Sequence, residues 1–285
     1  MTMLPTDATT ARWVYVKLYG DRAVEHMDSL LVAWADDPVL TERAESWFFL
    51  RYVDERGVHV RLRALTREGD DRDGLMRALV EACTARATAA CIDIHAVEDR
   101  YAPETGTYGA RPGMDAAERL FHRSSRLAAQ VLALEERGLL SRKDLLPVLM
   151  QDAADAFVPR AEHAGFWAGF GDCCLHGRSP AAADWRRSRA AAGREPAAGG
   201  IRIVAAHSRL GEEARAIVAA WRAALGQAAV DYAALGRPFR IRPEMLAFKT
   251  AHLMNNRLGL AAVEEAYVAA LLELQAQGQG VGALE

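Results

Sequence analysis

The chain has little cysteine, no long apolar run and no excess of charge of one sign. Its four cysteines, Cys83, Cys91, Cys173 and Cys174, show neither paired CxxC spacing nor, in 285 residues, the density of a disulfide scaffold. That excludes a small secreted disulfide fold and fits a reduced, cytoplasmic protein. No apolar stretch approaches the ~18 residues of a spanning helix, and "MTMLPTDATTARWVYVKLYG" has no basic region followed by an apolar core, so neither export nor membrane insertion is expected. Thirty-five Lys plus Arg against 38 Asp plus Glu leave a net charge of -3, which argues against a general binder of nucleic acid or membrane surfaces. There is no GxxxxGK[ST] loop and no GxGxxG after a strand, and none of the eight histidines stands three or four residues from another. Nucleotide chemistry and a metal centre therefore have no local support.

What is present is core material and alternating pattern. Hydrophobic residues make up 51% of the chain, ample for a sizeable core in one large domain or two small ones; residues 1–285 are taken as a single domain. "RWVYVKLYG" is β-branched and aromatic and ends at glycine, as a strand does. "RAVEHMDSLLVAWADD" has helical spacing. "SWFFLRYV", "DERG" and "VHVRLRAL" read as strand, four-residue turn and strand. Residues 72–90 form an Ala-rich amphipathic helix, and "CIDIHAVE" is another strand. Beyond Gly113 the pattern is helical, with a Ser-capped helix at "SRKDLLPVLMQDAADAFV" and further helices at Gly211–Leu225, Pro243–Arg257 and Ala261–Gln275. The segment near 178–200, rich in Arg, Ala and Gly, is expected to be flexible. The fold class is α+β, a mostly antiparallel sheet in the N-terminal part packed with a largely helical C-terminal half.

The stretch "RYVDERGVHVRLRAL" places His59, Arg61 and Arg63 at alternate positions among Val58, Val60, Leu62 and Ala64. On a strand, one face then carries an imidazole and two guanidiniums and the other is apolar. Side chains two apart on a strand sit about 7 Å from each other, which suits two guanidiniums gripping one carboxylate or enolate. The planar fork of arginine donates bidentate bonds and keeps its charge. A charged edge strand has the same pattern. In "FKTAHLMNNRLGL", Lys249, His252 and Asn256 fall at i, i+3 and i+7 on one helix face, while Leu246, Leu253 and Leu260 mark an apolar one. Histidine moves protons near neutral pH; a lone one on a helix is otherwise structural. In "DRYAPETGTYGARPGMDAAERLFHRSS", Pro103, Gly106, Gly109, Pro112 and Gly113 predict a turn-rich loop that carries Glu104 and Tyr108 towards a substrate. Glu118 on the following helix reads as a surface or capping contact.

Taken in order, "WFFLRYVDERGVHVRLR", "YAPETGTYG" followed by "AERLFHRSS", and "HLMNNRLG" resemble the C-terminal domain of the lantibiotic dehydratases, also found as stand-alone thiopeptide-type bacteriocin biosynthesis proteins. The resemblance covers nearly the whole chain. It implies glutamate elimination: a separate tRNA-dependent enzyme glutamylates Ser or Thr of a ribosomally made precursor peptide with a leader, and this domain expels the glutamate to leave dehydroalanine or dehydrobutyrine. Arg61, Arg63 and His252 fall on the family's catalytic positions, with Asn256 and Arg257 completing the histidine motif. His59, Glu104, Tyr108, Asn256 and Arg257 are assigned to substrate binding. No cofactor, no metal, no direct nucleic-acid contact and no membrane are implied, and a homodimer is admitted. Pro103 and Thr107 stand where lanthipeptide members carry arginines in a "YxRExxRYGG" loop, and Ser124 stands where Asp is usual. Two alternatives stay open: a pyridine synthase, which joins two dehydroalanines in a formal 4+2 cycloaddition on a similar fold, and a non-catalytic precursor-peptide-binding module.

Overall fold

The computed structural model describes residues 11–20, 26–175, 210–236 and 241–278. The segment expected to be flexible, near 178–200, lies outside them. The chain divides into two compact units, Met1–Ala133 with Leu235–Phe239, and Leu134–Ala234 with Arg240–Glu285.

The first unit is built on four antiparallel strands, β1 (Trp13–Gly20), β2 (Ala44–Asp54), β3 (Gly57–Thr66) and β4 (Ile94–Glu98), in the order β2-β3-β1-β4. Alternation decides the faces. Val14, Val16, Leu18, Val60, Leu62 and Ala64 are buried, with α1 (His26–Ala35) against α2 (Arg72–Ala89), and α2 against β1 and β4. From α2, Leu75, Met76, Leu79 and Cys83 fill this core. The hairpin is tighter than the four-residue turn read from "DERG": Asp54 pairs with Gly57, so only Glu55 and Arg56 form the loop. Gly57 makes this possible with φ +118°, a conformation that L side chains resist.

A short helical turn, α3 (Thr105–Tyr108), precedes the long helix α4 (Ala110–Glu136). The predicted turn-rich loop therefore ends earlier than Gly113, because Pro112 falls in a first helical turn, where its missing N–H has no intrahelical partner to lose. Gly113 is required by a close approach: a Cβ there would lie 1.7 Å from the Tyr108 carbonyl oxygen. Gly113→Ala is expected to destabilise the protein by about 1–3 kcal/mol, read as a lower urea midpoint; an unmoved midpoint would contradict that approach. Helix α4 also covers the edge strand β2. The Phe49 N–H donates to Ser125 Oγ at 3.2 Å, and His122 Nδ1 lies 3.1 Å from the Trp47 amide nitrogen, so this edge is not left open to pair with another chain.

The second unit is helical among the described residues, with α5 (Arg142–Phe157), α6 (His163–Cys174), α7 (Glu212–Ala233), α8 (Pro243–Arg257) and α9 (Ala262–Ala276). Ser141 caps α5 as its sequence predicts, accepting a hydrogen bond from the Lys143 N–H. Helix α5 is the hub, in contact with α7, α8 and α9. Trp221 donates to the Leu149 carbonyl at 3.1 Å, and Arg222 Nε lies 2.9 Å from both carboxylate oxygens of Asp152. Helix α6 was not anticipated, since Gly165, Gly169 and Gly171 disfavour helix. Burial of Trp167 and Phe170, in a helix packed on α9, outweighs them. No helix among the described residues is long and apolar enough to cross a membrane.

Candidate active site

The register aligns Arg63 with Tyr15 and Phe48, Arg61 with Lys17 and Leu50, and His59 with Tyr19 and Tyr52. These residues share the sheet face opposite the apolar one. Arg63 is 8% exposed. Its guanidinium carbon lies 4.4 Å from the Tyr15 ring centroid and 5.3 Å from those of Phe48 and Tyr101. Ring quadrupoles favour a cation there, but they leave its N–H groups unmatched. Arg63 Nε is buried without a hydrogen-bond partner, and no carboxylate among the described residues pairs with either Arg61 or Arg63. Burial works against the Arg63 charge and lowers its pKa from the usual value.

Arg61 lies over Tyr52, 3.3 Å from guanidinium carbon to ring centroid, and its Nε donates to His59 Nε2 at 3.3 Å. His59 is fully buried, its ring 4.4 Å from that of Tyr19, with Nδ1 3.2 Å from the Gly57 carbonyl. Desolvation lowers its pKa. A neutral ring protonated on Nδ1 satisfies both contacts, giving to the carbonyl and accepting from Arg61. His59 thus holds Arg61. Neighbouring Lys17 is held by Asp99 at 2.7 Å, a bond that raises its pKa.

The loop and α4 add a second layer. Tyr101 O–H donates to Glu118 at 2.9 Å, and Arg111 Nη2 donates to the same carboxylate at 2.7 Å while its Nε reaches Asp115 at 2.7 Å. Glu118, expected as a surface or capping contact, is instead buried, because these two donors satisfy it. Burial pushes its carboxyl pKa up and also raises the Tyr101 hydroxyl. Glu104 is exposed, whereas Tyr108 is buried with its ring 5.4 Å from Phe121.

In the second unit, His252 Nδ1 lies 3.1 Å from Glu265 Oε2. The ring stacks on Phe248 at 5.7 Å and 11°, and its side chain is 40% exposed while that of Glu265 is 2% exposed. Asn255 Nδ2 donates to the same oxygen at 3.1 Å, and Cys174 Sγ approaches it at 3.9 Å. The Glu265 hydrogen bond raises the pKa of His252, against burial and Lys249; burial pushes the Cys174 thiol up. The apolar face of α8 is rotated from the expected leucine stripe: Leu253 is half-buried, and Ala247, Ala251, Met254 and Asn255 turn inward. Asn256 is half-buried. Arg257 is buried and donates to the Leu253 carbonyl at 2.9 Å.

Sequence reasoning missed Glu265. A charged residue at i with Val268, Ala269 and Leu272 at i+3, i+4 and i+7 was the available signal. The ligand atoms of Cys174, His252 and Glu265 lie within 4.8 Å of one another, a donor set that a divalent cation can use. The three donors already gathered around Oε2 also form a hydrogen-bonded carboxylate, for which no ion is required.

A model of the family described as lantibiotic biosynthesis dehydratase C-term matches residues 13–276. Among solved structures, the chain is similar to the tRNA-dependent lantibiotic dehydratase MibB from Microbispora sp. 107891, with 24% identity and a TM-score of 0.67 over 98% of this chain and 29% of that one. It spans less than a third of MibB. It is also similar to TsrL, with 17% identity and a TM-score of 0.62 over 94% of each chain. The pyridine synthase TbtD from thiomuracin biosynthesis matches at 17% identity and a TM-score of 0.61, over 96% of this chain and 100% of that one. Likeness at these identities establishes the fold. No curated protein matches the chain.

Proposed function

The chain belongs to the lantibiotic dehydratase C-terminal family, and from that premise we propose that it eliminates glutamate from glutamylated Ser or Thr of a ribosomally made precursor peptide. The observation that carries this reading is Arg63, a buried guanidinium with an unmatched Nε beside Arg61. Removing the Cα proton of the esterified residue builds negative charge on the adjacent carbonyl. The Cβ–O bond then breaks, its electron pair leaves with the glutamate carboxylate, and dehydroalanine or dehydrobutyrine remains. Both charges call for preorganised cations, which Arg61 and Arg63 supply. His252 moves the proton. The balance closes without a cofactor or metal.

In this reading His59 acts through Arg61, Glu104 meets the peptide, and Tyr108, Asn256 and Arg257 each serve substrate binding. Residues 1–285 act as one elimination domain in the cytoplasm on a leader-bearing precursor. A separate enzyme performs the tRNA-dependent glutamylation, so no nucleic acid or membrane is engaged here; a homodimer is compatible with these roles. The test is incubation with a glutamylated precursor followed by mass spectrometry. Conversion of the adduct to the dehydro residue supports the reading, and persistence of the adduct on a competent peptide rejects it.

A second reading is favoured by Pro103 and Thr107, which leave the loop without the arginines that elimination members carry there: pyridine synthesis from two dehydroalanines. The same assay with a substrate that already holds both dehydroalanines separates the two, since cycloaddition releases water and the leader peptide. A peptide-binding module without catalysis makes a different forecast for Arg61→Ala, an affinity loss as large as the turnover loss. The elimination reading expects turnover to fall about 100-fold while the dissociation constant measured by calorimetry stays put.

A further inference from the structure

We propose that Glu265 is the positioning residue of His252, fixing its ring with the Nδ1 proton turned inward and Nε2 presented outward, and stabilising the imidazolium when the ring takes up a proton. The proposal rests on the elimination reading for its kinetic arm alone.

The geometry is one-sided. Nδ1 is 3.1 Å from a carboxylate that is 2% exposed, while the histidine side chain is 40% exposed. Nε2 has no partner among the described residues. The ring therefore joins a buried acid to an accessible proton site. Phe248 stacks against the ring plane, leaving rotation about the ring normal to be fixed by the hydrogen bond. Asn255, with no exposure, anchors Oε2 through Nδ2, so the carboxylate is itself oriented. A buried carboxylate is stabilised by hydrogen bonds and further by a paired cation; His252 donates the hydrogen bond when neutral and adds the charge when protonated. The charged groups acting on the ring are Glu265 from α9 and Lys249 from α8 itself, with neutral Cys174 contributed by α6. An acid that orients a histidine and sets its tautomer is a general catalytic arrangement.

The experiment follows histidine-labelled full chain by NMR across pH, as wild type, Glu265→Gln and Glu265→Asp, with His252→Gln to assign the resonance. Wild type is expected to show a single Nδ1-protonated neutral tautomer and a raised midpoint. Glu265→Gln should lower the midpoint and mix the tautomers, and Glu265→Asp should lie between them. With glutamylated peptide, Glu265→Gln should lose about 10- to 1000-fold in kcat with little change in KM, and its pH-rate limb should move down with the NMR midpoint. Should Glu265→Gln fail to fold, Glu265→Asp carries the same comparison. An unmoved midpoint and tautomer in a folded variant would overturn the proposal. So would saturable zinc binding to the wild type that shifts His252 and requires Cys174, which would make the cluster a metal site. If the NMR changes occur and wild type shows no elimination, the dyad stands and the elimination reading falls.

Discussion

Arg63→Met is expected to lower kcat/KM for a glutamylated precursor by about 100-fold or more while leaving the fold as stable as wild type or slightly more so. The two halves of this forecast come from one observation. A guanidinium buried among Tyr15, Phe48 and Tyr101, without a carboxylate partner among the described residues, gains roughly 0.5–2 kcal/mol from the rings and is opposed by several kcal/mol of desolvation. Replacing it with an apolar side chain of similar length removes both contributions, so urea denaturation should register little loss. Catalysis has no such compensation, because the charge developing on the substrate then loses the cation that Arg63 supplies and meets Arg61 alone. Arg63→Lys refines the point, since it keeps the charge and loses the bidentate fork, and most of the activity should still disappear. A stability loss above about 2 kcal/mol with activity retained would make Arg63 a structural cation and leave the strand a charged surface.

The second large effect is expected at His252. His252→Phe keeps a ring for Phe248 to stack on, and should reduce turnover by about 100- to 10,000-fold. It also deprives buried Glu265 of one donor, which costs about 1–3 kcal/mol. His252→Gln retains an N–H and isolates the catalytic loss from the structural one. The pH dependence has a definite sign. The folded pKa of His252 is raised by its Glu265 bond, so the pair's contribution to stability is fully present below about pH 6.5, the unfolded histidine value, and is lost as pH rises through the raised folded value. The stability gap between wild type and His252→Gln should therefore shrink across that window. A gap that widens as pH rises would contradict a charge-assisted pair.

Much of the architecture was legible because it follows from local periodicity. The period-2 alternation at Val58–Ala64 gave both faces of β3, and the Ser141 cap gave the start of α5. Helix α6 was not legible, since its glycines argue against helix and the favourable burial of Trp167 and Phe170 comes from distant residues. The candidate site divides in the same way. Arg61 and Arg63 announce themselves by spacing on one strand. His59, one alternation earlier, looks identical in sequence, yet full burial turns it into a support for Arg61. Glu118 and Glu265 are acids on helices, and only three-dimensional neighbours, Tyr101 with Arg111 for one and His252 with Asn255 for the other, tell them from solvated charges. The burial of Arg257, five residues after the half-exposed His252, is likewise invisible to helical spacing, which places side chains on faces but does not say how deep each face lies.

The central claim is the proposed elimination, in which Arg63 and His252 are each required, and a double-mutant cycle on single-turnover glutamate release tests it most directly. Wild type, Arg63→Lys, His252→Gln and the double variant are compared on one glutamylated peptide, with the dehydro product quantified by mass spectrometry. Groups that act together in one transition state are strongly non-additive, so each single variant should lose about 100-fold or more and the double variant little beyond the worse of the two. Independent losses that multiply, or full elimination by either single variant, would contradict it.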